Sequence, residues 1–548
     1  MRDAEATLNV GNALVNRSSF DKILLASQNI FLAIFAALFL LKAYTSLNWR
    51  MEHDTPILHY AAFLMNQYGL IPYRDILDTS MPGAFAFHYF IIKLFGYGDF
   101  AFRCVDLALL GALLVATYVF MRRFGRLVAV WAAVLFGLLY LSMGQEMSLQ
   151  RDYVGIIPIA FALLCIPAKM DEPVQLVRFA LVGLLFGMSV LIKPHLGIAL
   201  PIVFGTLLVF RWHSRKKSMP DFVRCAAITG AATLIPVIIA LAWLAANSAL
   251  APFINILFNV IPLYSSIMGG SIVLSGFARI SYLIGATSKF GGFGAFFLSS
   301  LFAYYHVVMH ADEDKASIIS LKCLCFCTLA YAIYPALAGK FFQYHYMPFA
   351  YFCSISTGLC LFAWFRRNSH LAHRAKQTLL LTALLIAVTL QLPLYEYVYT
   401  LDSDFRSGSK THAPKKGRVD EIAGWLKGRL RPGDTVQPLD ITGGSIQGML
   451  LAEARLATSF LTDYNFYHHV SSPIVQELRQ SFIEQLHKAS PRFIIDVFTA
   501  DKPFGKDTTR EFPELRQFIN DHYTAAYIGE GYRIYQRMDE VQPSEEQP

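Results

Sequence analysis

The chain has 548 residues, of which 55% are hydrophobic and only 16% are charged. Its apolar residues come in blocks long enough to cross a bilayer, which excludes an ordinary soluble enzyme and predicts an α-helical polytopic membrane protein. The net charge of +8 does not indicate a nucleic-acid partner. The basic residues concentrate in alternate connections between the apolar blocks, which is the pattern that the positive-inside rule gives to cytoplasmic loops.

About eleven membrane spans are predicted, taking roughly 20 residues for each crossing. The N-terminal sequence lacks a signal-peptide pattern, so the first apolar run, Ile23 to Tyr44, is predicted to be a retained span. The run from Phe179 to Phe210 is too long for one span and predicts two short helices that meet at an outer turn. The spans lie near residues 23–46, 100–121, 127–144, 153–168, 177–192, 195–211, 223–246, 279–309, 316–337, 346–364 and 376–398.

The first outer loop, residues 48–98, is predicted to contain two helices that do not cross the membrane. Between Thr55 and Gly69 apolar residues recur at helical spacing, with His59, Asn66 and Gln67 on the opposite, polar side. This pattern is typical of an amphipathic helix that lies in the headgroup region. The segment from Gly83 to Phe95 is apolar but too short to span.

Asp54 lies at the start of the first of these helices and has two interpretations. Asp followed by Thr55 and Pro56 is a good helix N-cap. Alternatively, the carboxylate acts as a general base toward a hydroxyl group, which requires an acceptor within hydrogen-bond reach and no cation that locks the carboxylate permanently. The two roles can coexist.

Asp75 and Asp78 are further candidates in the same loop. Asp75 follows Arg74 and could form a surface ion pair, while Asp78 precedes the sequence TSMPG and could cap a turn. For each of them a role in the site is an equal alternative.

The very short loop between the third and fourth spans is crowded with charge. It carries Glu146, Arg151 and Asp152. A structural charge pair is the favoured interpretation, because such loops need polar ends. The alternative for Arg151 and Asp152 is that they fix the substrate.

Two polar turns interrupt later apolar sequence. Lys193 and His195 flank a proline in KPH, and Lys340, His345 and Tyr346 lie in or beside QYHYMP. Ionisable residues in such settings are costly and usually have a partner. Either the lysines extend to the interface, or they bind a phosphate at the outer leaflet as point charges.

Two remaining regions differ in composition. The loop at 247–278 is apolar but broken by Pro and Gly, and could be a mobile lid over a lipid tail or a re-entrant structural segment. After residue 400 the sequence becomes polar, and its alternating helix and strand patterns predict a small α/β domain over 401–538, followed by a disordered tail at 539–548.

The stretch DTPILHYAAFLMNQYGLIPYRDILDTSMPG resembles the first outer loop of the GT-C membrane glycosyltransferases. It is most similar to the branch that contains protein O-mannosyltransferases and the bacterial lipid A aminoarabinose transferase. KPH, QYHYMP and the C-terminal domain extend the resemblance loosely over most of the chain. Asp54 matches the first acidic position of the family and Asp78 the second, where aminoarabinose transferases carry Glu-Lys-Pro-Pro and this chain departs from them.

The resemblance implies a GT-C-like transmembrane catalytic domain over residues 1–400. It also implies an inverting transfer of a hexose or pentose from a polyprenyl-phosphate donor to a hydroxyl of a lipid, glycan or protein. The membrane would be a bacterial plasma (inner) membrane, the product a cell-envelope glycan, and the site and C-terminal domain would be extracytoplasmic. Arg151, Lys193 and Lys340 are the candidates for contact with the donor phosphate.

Other functions stay open at this point. A transporter or flippase of lipid-linked sugars would be expected to show internal repeats or paired broken helices, and neither is evident in the sequence. A non-catalytic family member is a further alternative. No cofactor is indicated and no metal ligands are assigned, because no spacing matches a common zinc site, but a divalent cation is left open.

Overall fold

The structure is a computed structural model that describes residue 26 and residues 29–215, 217–268, 272–309, 315–338, 340–365, 417–498, 502–503 and 507–538. The predicted span at 376–398 and the predicted disordered tail lie outside the described residues. The helices up to residue 365 are α1 (Asn29–Asn48), α2 (Thr55–Tyr68), α3 (Pro82–Phe95), α4 (Asp99–Met121), α5 (Arg126–Ser142), α6 (Arg151–Leu163), α7 (Leu176–Ile192), α8 (Leu200–Ser214), α9 (Met219–Ala246), α10 (Leu250–Asn255), α11 (Ile261–Ser266), α12 (Gly276–Ser288), α13 (Gly294–Met309), α14 (Lys315–Ala338) and α15 (Met347–Phe365).

Five helical segments of the described chain are long and apolar enough to cross a membrane: Asn29–Asn48, Asp99–Phe124, Pro194–His213, Met219–Ala246 and Lys315–Ala338. Shorter apolar helices lie between them. The class of apolar, helical membrane protein is therefore evident in the structure, whereas the predicted number of eleven spans stays a prediction.

The predicted span at 279–309 is wrong as a single helix. It consists of α12 and α13, with a short 3₁₀ turn at Phe290–Gly292 between them. Phe290, Gly291 and Gly292 have φ values of 49°, 60° and 86°. Three consecutive residues in the left-handed region cannot continue a right-handed helix.

The KPH turn separates α7 from α8, in agreement with the two short helices predicted there. Lys193 is extended, with φ −154° and ψ 110°. Proline disfavours the helical conformation in the residue before it, so Pro194 helps to end α7 at this point. The turn brings the Lys193 side chain back toward the start of α6, as described below.

The first outer loop contains both predicted helices, and the polar side of α2 is exposed only in its last turn, at Asn66 and Gln67. Every residue from Thr55 to Leu64 is buried, including His59, whose Nδ1 lies 3.2 Å from Nδ1 of His88 on α3. The predicted helix is therefore present with its first ten residues buried, and its position in the headgroup region stays a prediction.

The C-terminal residues pack against α2 and the segments beside it. Their helices are α16 (Arg418–Lys427), α17 (Ser445–Leu451), α18 (Pro473–Ala489) and α19 (Pro513–His522). Tyr60 Oη on α2 donates to the Ala454 carbonyl at 2.8 Å, and Arg50 pairs with Asp420 at 2.8 Å. The backbone N–H of Leu77 donates to the Ser459 carbonyl at 2.6 Å.

The strands form two sheets. A small antiparallel pair, β1 (Ile267–Met268) and β2 (Ile272–Val273), lies in the loop before α12. The C-terminal strands β3 (Thr435–Leu439), β4 (Arg455–Leu456), β5 (Phe493–Asp496), β6 (Tyr523–Gly529) and β7 (Tyr532–Arg537) form a sheet of order β4-β3-β5-β7-β6. Strand β3 is parallel to both neighbours, and β5, β7 and β6 are antiparallel. The described C-terminal residues thus combine a mixed sheet with helices, whereas a separate α/β domain over 401–538 stays a prediction.

Candidate active site

Asp54 lies at the N-cap position of α2, yet its side chain makes no capping hydrogen bond. Its Oδ2 is 3.2 Å from Nη2 of Arg151 and 3.3 Å from the Tyr344 hydroxyl, which donates to it. Its Oδ1 is 3.1 Å from Nδ1 of His53. The carboxylate therefore holds groups from other parts of the chain instead of the first turn of its own helix.

Asp78 lies in the same region without a cation of its own. Its Oδ1 accepts the backbone N–H of Ser80 at 2.7 Å, and Arg151 Nη1 donates to the Ser80 hydroxyl at 2.9 Å. No ion pair of Asp78 is formed within the described part of the chain. The group of Asp54, Asp78, Ser80, Arg151 and Tyr344 is called the open cluster below.

The open cluster lines a cleft between the membrane part and the C-terminal part. Asp54, Asp78, Ser80 and Arg151 lie on one side, and the other side is formed by the C-terminal residues Ile441, Thr462, Tyr464 and Asn465. Tyr264 of α11 also lines the cleft, and its ring lies 6.2 Å from that of Tyr464 in an edge-on contact. The open cluster is thus accessible from the junction of the two parts.

A second charged group is buried directly beside the first. Asp152 is fully buried, and Lys193 Nζ donates to its Oδ1 at 2.8 Å and to its Oδ2 at 2.7 Å. The Tyr334 hydroxyl of α14 also donates to Asp152. His345 is buried nearby, with Nδ1 at 2.5 Å from the Lys340 carbonyl. Asp152, Lys193, Tyr334 and His345 are called the closed cluster below.

Burial and charge give the acids of the two clusters different proton affinities. Burial raises the pKa of Asp54, but the hydrogen bond from His53 and the charges of His53 and Arg151 outweigh it and hold the pKa well below its usual range. Burial also raises the pKa of Asp152, and there the Lys193 ammonium lowers it below the ordinary value. For Asp78 burial prevails, so its pKa is raised. Asp78 is the carboxylate of the three with a raised affinity for a proton.

A general base should have no cation that locks its carboxylate, and this condition separates the candidates. Asp54 has the Arg151 guanidinium against it, and Asp152 has the Lys193 ammonium. Both carry the locking cation that a general base should not have, whereas Asp78 does not. The first-choice hypothesis of Asp54 as the base loses its main support from this geometry.

The remaining predicted residues lie in different places. Asp75 pairs with Arg74 at 2.7 Å and accepts the Ile71 backbone N–H, outside the cleft. Tyr346 donates to the Ala286 carbonyl on α12 and not to either cluster. His195 is exposed, with its ring 6.4 Å from that of Tyr334.

Lys340 is buried, with 7% of its surface exposed, so it does not extend into water. Its Nζ lies 3.2 Å from the centre of the Tyr264 ring. No carboxylate pairs with it among the described residues. Burial lowers the pKa of Lys340 to about 7, and burial lowers that of His345 to about 3.

Several residues of the site were missed in the sequence. Ser80, Tyr334 and Tyr344 complete the two clusters, and Tyr264 contacts Lys340. Tyr344 lies within QYHYMP, so this motif was a usable signal, although His345 and Tyr346 were chosen from it. A tyrosine in an apolar helix, such as Tyr334, carries no sequence signal of this kind.

An apolar cavity of about 570 Å³ lies close to the open cluster. It is lined by side chains of α2, α3, α7 and α9 and by the turn at 70–73, among them Phe85, Leu191 and Trp243. Tyr73 lines the cavity, and its hydroxyl donates to the Ser80 carbonyl at 2.7 Å. The segment 73–80 therefore separates an apolar cavity from a charged cleft.

A metal site is not evident from the donor groups. No group of three or more His, Cys, Asp or Glu side chains in the described residues could hold a metal ion. Arg151 instead supplies positive charge to both Asp54 and Asp78.

Solved structures with similar folds fit this architecture. The chain is similar to crystal structures of ArnT from Cupriavidus metallidurans. For the structure bound to undecaprenyl phosphate the TM-score is 0.55 and the identity 13%, covering 92% of this chain and 97% of that one. For the apo state the values are 0.53 and 14%, with 93% and 98% covered. An Archaeoglobus fulgidus oligosaccharyltransferase in the apo form gives 0.43 and 11%, with 84% and 69% covered.

Sequence comparison adds no relative. No protein-family model matches the chain, and no curated protein matches it. The likeness to ArnT in structure nevertheless shows that the chain has a GT-C fold. The resemblance stated from the first outer loop is thereby confirmed at the level of the fold.

Proposed function

We propose that this protein is an inverting membrane glycosyltransferase that transfers a sugar from a polyprenyl-phosphate donor to a hydroxyl group. The observation that carries the proposal is that an apolar cavity and a charged cleft lie at the two ends of one short segment: Tyr73 lines the cavity, and residues 77–80 line the cleft. A polyprenyl-phosphate sugar is an amphiphile that needs both environments side by side. The undecaprenyl phosphate bound in the ArnT structure of the same fold supports this assignment.

The donor is proposed to lie across that segment. Its isoprenoid tail would occupy the apolar cavity, where burial of hydrocarbon supplies affinity. Its phosphate would be held at the cleft by Arg151 and Lys340. A guanidinium can bind two phosphate oxygens at once, whereas an ammonium acts as a point charge. Lys193 is the weaker candidate, because its ammonium already satisfies Asp152.

The acceptor is proposed to react in a single displacement. Asp78 takes the proton of the acceptor hydroxyl as the oxygen attacks the anomeric carbon. The bond from that carbon to the phosphate oxygen breaks, and the polyprenyl phosphate leaves with the electron pair. Arg151 stabilises the charge that develops on the phosphate, and Asp54 with Tyr344 holds Arg151 in place. One displacement inverts the anomeric configuration and needs no covalent enzyme intermediate.

The sugar is proposed to be a hexose or pentose, and the acceptor a hydroxyl of a lipid, glycan or protein. A transfer assay tests both together. The purified protein is incubated with a panel of radiolabelled polyprenyl-phosphate sugars and each class of acceptor, and release of sugar from the lipid is measured. Sugar that crosses sealed vesicles without release from its lipid would instead identify a flippase and overturn the proposal.

The cleft and the C-terminal part are proposed to lie on the extracytoplasmic side of a bacterial plasma membrane. The proposal is supported by the basic residues in alternate connections. A reporter enzyme that works only in the cytoplasm, fused after Arg537, should stay inactive. Reporter activity at that position would place the proposed site on the wrong face.

A further inference from the structure

A buried ion pair lies on α4, away from both clusters. Arg103 is 1% exposed and Asp106 is fully buried, and the two form a salt bridge three residues apart on the helix. A buried ion pair is rarely needed for stability, because its desolvation cost can match or exceed its attraction. Charged residues inside membrane helices usually have a functional reason. The contacts of this pair indicate what that reason is.

Arg103 joins three segments of the chain. Its Nη1 donates to the Ser148 hydroxyl at 2.9 Å, and its Nη2 donates to the Ser46 hydroxyl at 2.7 Å. Its guanidinium carbon lies 4.5 Å from the centre of the Trp49 ring. The arginine therefore ties the end of α1 to the loop before α6.

Asp106 reaches the same loop through a tyrosine. Its Oδ1 accepts the Tyr140 hydroxyl at 2.6 Å. The Tyr140 oxygen lies 3.3 Å from the Met147 carbonyl and 3.4 Å from the Leu149 backbone nitrogen. Leu149 has φ 51°, a strained conformation for a leucine that the surrounding contacts must maintain.

The loop held in this way leads directly into the proposed site. Arg151 and Asp152 begin α6 two residues after Leu149. The Ser148 carbonyl also accepts the Thr55 hydroxyl at 3.4 Å, and Thr55 follows Asp54. Ser148 thus contacts the neighbour of Asp54 and lies three residues before Arg151 in the chain.

We infer that Arg103 and Asp106 are positioning residues: they hold the loop at 147–150 so that Arg151 lies against Asp54 and Ser80. The expected effect on the transfer rate rests on the proposed function. The claim that the pair fixes the position of Arg151 does not depend on it. Misplacement of a catalytic group by about 1 Å can cost roughly 100-fold in rate. A pair that served stability alone could be replaced by apolar residues without loss of activity.

The test replaces the whole pair with apolar residues of similar size, as R103M/D106L. Replacing both charges leaves neither one buried without a partner, so thermal stability should stay close to that of the wild type. The transfer rate at saturating donor should nevertheless fall by at least about 10-fold. The control is R211M/D221L, which removes another arginine pair, between the buried Arg211 near the end of α8 and the partly buried Asp221 at the start of α9. The control should keep the wild-type transfer rate.

A second readout does not require transfer activity. Phenylglyoxal modifies accessible arginine side chains, and mass spectrometry of the peptide that contains residue 151 measures the modified fraction. Arg151 should react several-fold faster in R103M/D106L than in the wild type or in the control. If the wild type transfers no sugar, the proposed function fails while this measurement still tests the inference.

The result that overturns the inference is a stable R103M/D106L protein with the control's transfer rate and the control's Arg151 labelling. Should that variant fail to fold, Ser148→Ala takes its place. It removes the loop's hydrogen bond to Arg103 and leaves the ion pair complete. Loss of one such bond, about 1 kcal/mol, predicts up to roughly a five-fold change in labelling. Unchanged labelling in Ser148→Ala would equally overturn the inference.

Discussion

Arg151 and Asp152 are adjacent in sequence but serve two different environments. Arg151 pairs with Asp54 in the open cluster, where their side chains are 22% and 21% exposed. Asp152 pairs with Lys193 in the closed cluster, where it is fully buried and the lysine is 14% exposed. The two pairs have the same charges and similar distances, so accessibility and the groups around them make the difference.

Under the proposed function, the open cluster takes part in the reaction and the closed cluster supports it. In the closed cluster both oxygens of Asp152 accept hydrogen bonds from Lys193, Tyr334 donates to one of them as well, and the carboxylate is fully buried. In the open cluster Asp78 lies beside the ion pair without a cation of its own, and the cleft gives access to it. The start of α6 thus supplies Arg151 to the proposed reaction site and Asp152 to the buried pair beside it.

The largest effect is expected for Asp78→Asn. Asparagine keeps an oxygen that can accept the Ser80 N–H, so folding should be preserved, but it cannot take a proton. General-base catalysis is typically worth ~10² to 10⁴ in rate, and we expect a loss of at least about 100-fold in transfer. The measurement is the rate with purified protein at saturating donor.

The matched control for this variant is Asp75→Asn in the same loop. It removes an exposed ion pair with Arg74 outside the cleft, and such pairs contribute roughly 0 to 1 kcal/mol. Its rate should stay within about two-fold of the wild type by the same measure. If Asp78→Asn turns over like Asp75→Asn, the assignment of the base to the open cluster is wrong.

The next largest effect is a loss of stability, and it is expected when the closed cluster loses its cation. Lys193→Met leaves Asp152 buried without its cation, which typically costs about 3 to 5 kcal/mol. A large fall in the thermal unfolding temperature in detergent is expected. The double variant K193M/D152L should recover most of it, because no buried charge remains.

The double variant also tests the phosphate role of Lys193. If the closed cluster is only a support, donor affinity of K193M/D152L stays near the wild-type value. A strong loss of donor affinity in this stable variant would instead return Lys193 to the list of phosphate ligands, as the sequence predicts.

The sequence located the charged residues of the site, but it did not predict which groups they contact. The helix-start pattern around Asp54 placed α2 correctly, but the capping role derived from it was overridden by Arg151, which is 97 residues away. Likewise, the amphipathic pattern of α2 could not reveal that residues near Ala454 contact Tyr60 or that His88 contacts His59. Local patterns report local structure, and these two outcomes were decided by contacts distant in sequence.

A smaller effect is expected for Asp54→Asn, which weakens the ion pair of the open cluster without removing the proposed base. We expect a loss of about 10-fold in transfer, since Arg151 is no longer fixed against its partner. The freed guanidinium should bind the donor phosphate at least as tightly as before. Rate and donor affinity, measured separately on the same preparation, should therefore move in opposite directions. A loss as large as that of Asp78→Asn would restore Asp54 as the base.

The smallest effect concerns Lys340, the other cation proposed to contact the phosphate. With a pKa of about 7, its amine is mostly protonated at pH 6 and mostly neutral at pH 8. The phosphodiester of the donor stays singly negative across this range, so donor affinity should fall several-fold as the pH rises from 6 to 8. Because arginine stays protonated at both values, Lys340→Arg should bind donor with little pH dependence, and Lys340→Met should bind weakly at both. The Lys340 ammonium would be excluded as a phosphate ligand by either of two results. The first is a wild-type donor affinity that does not change between pH 6 and 8, and the second is an equal fall in donor affinity with pH in the wild type and in Lys340→Arg.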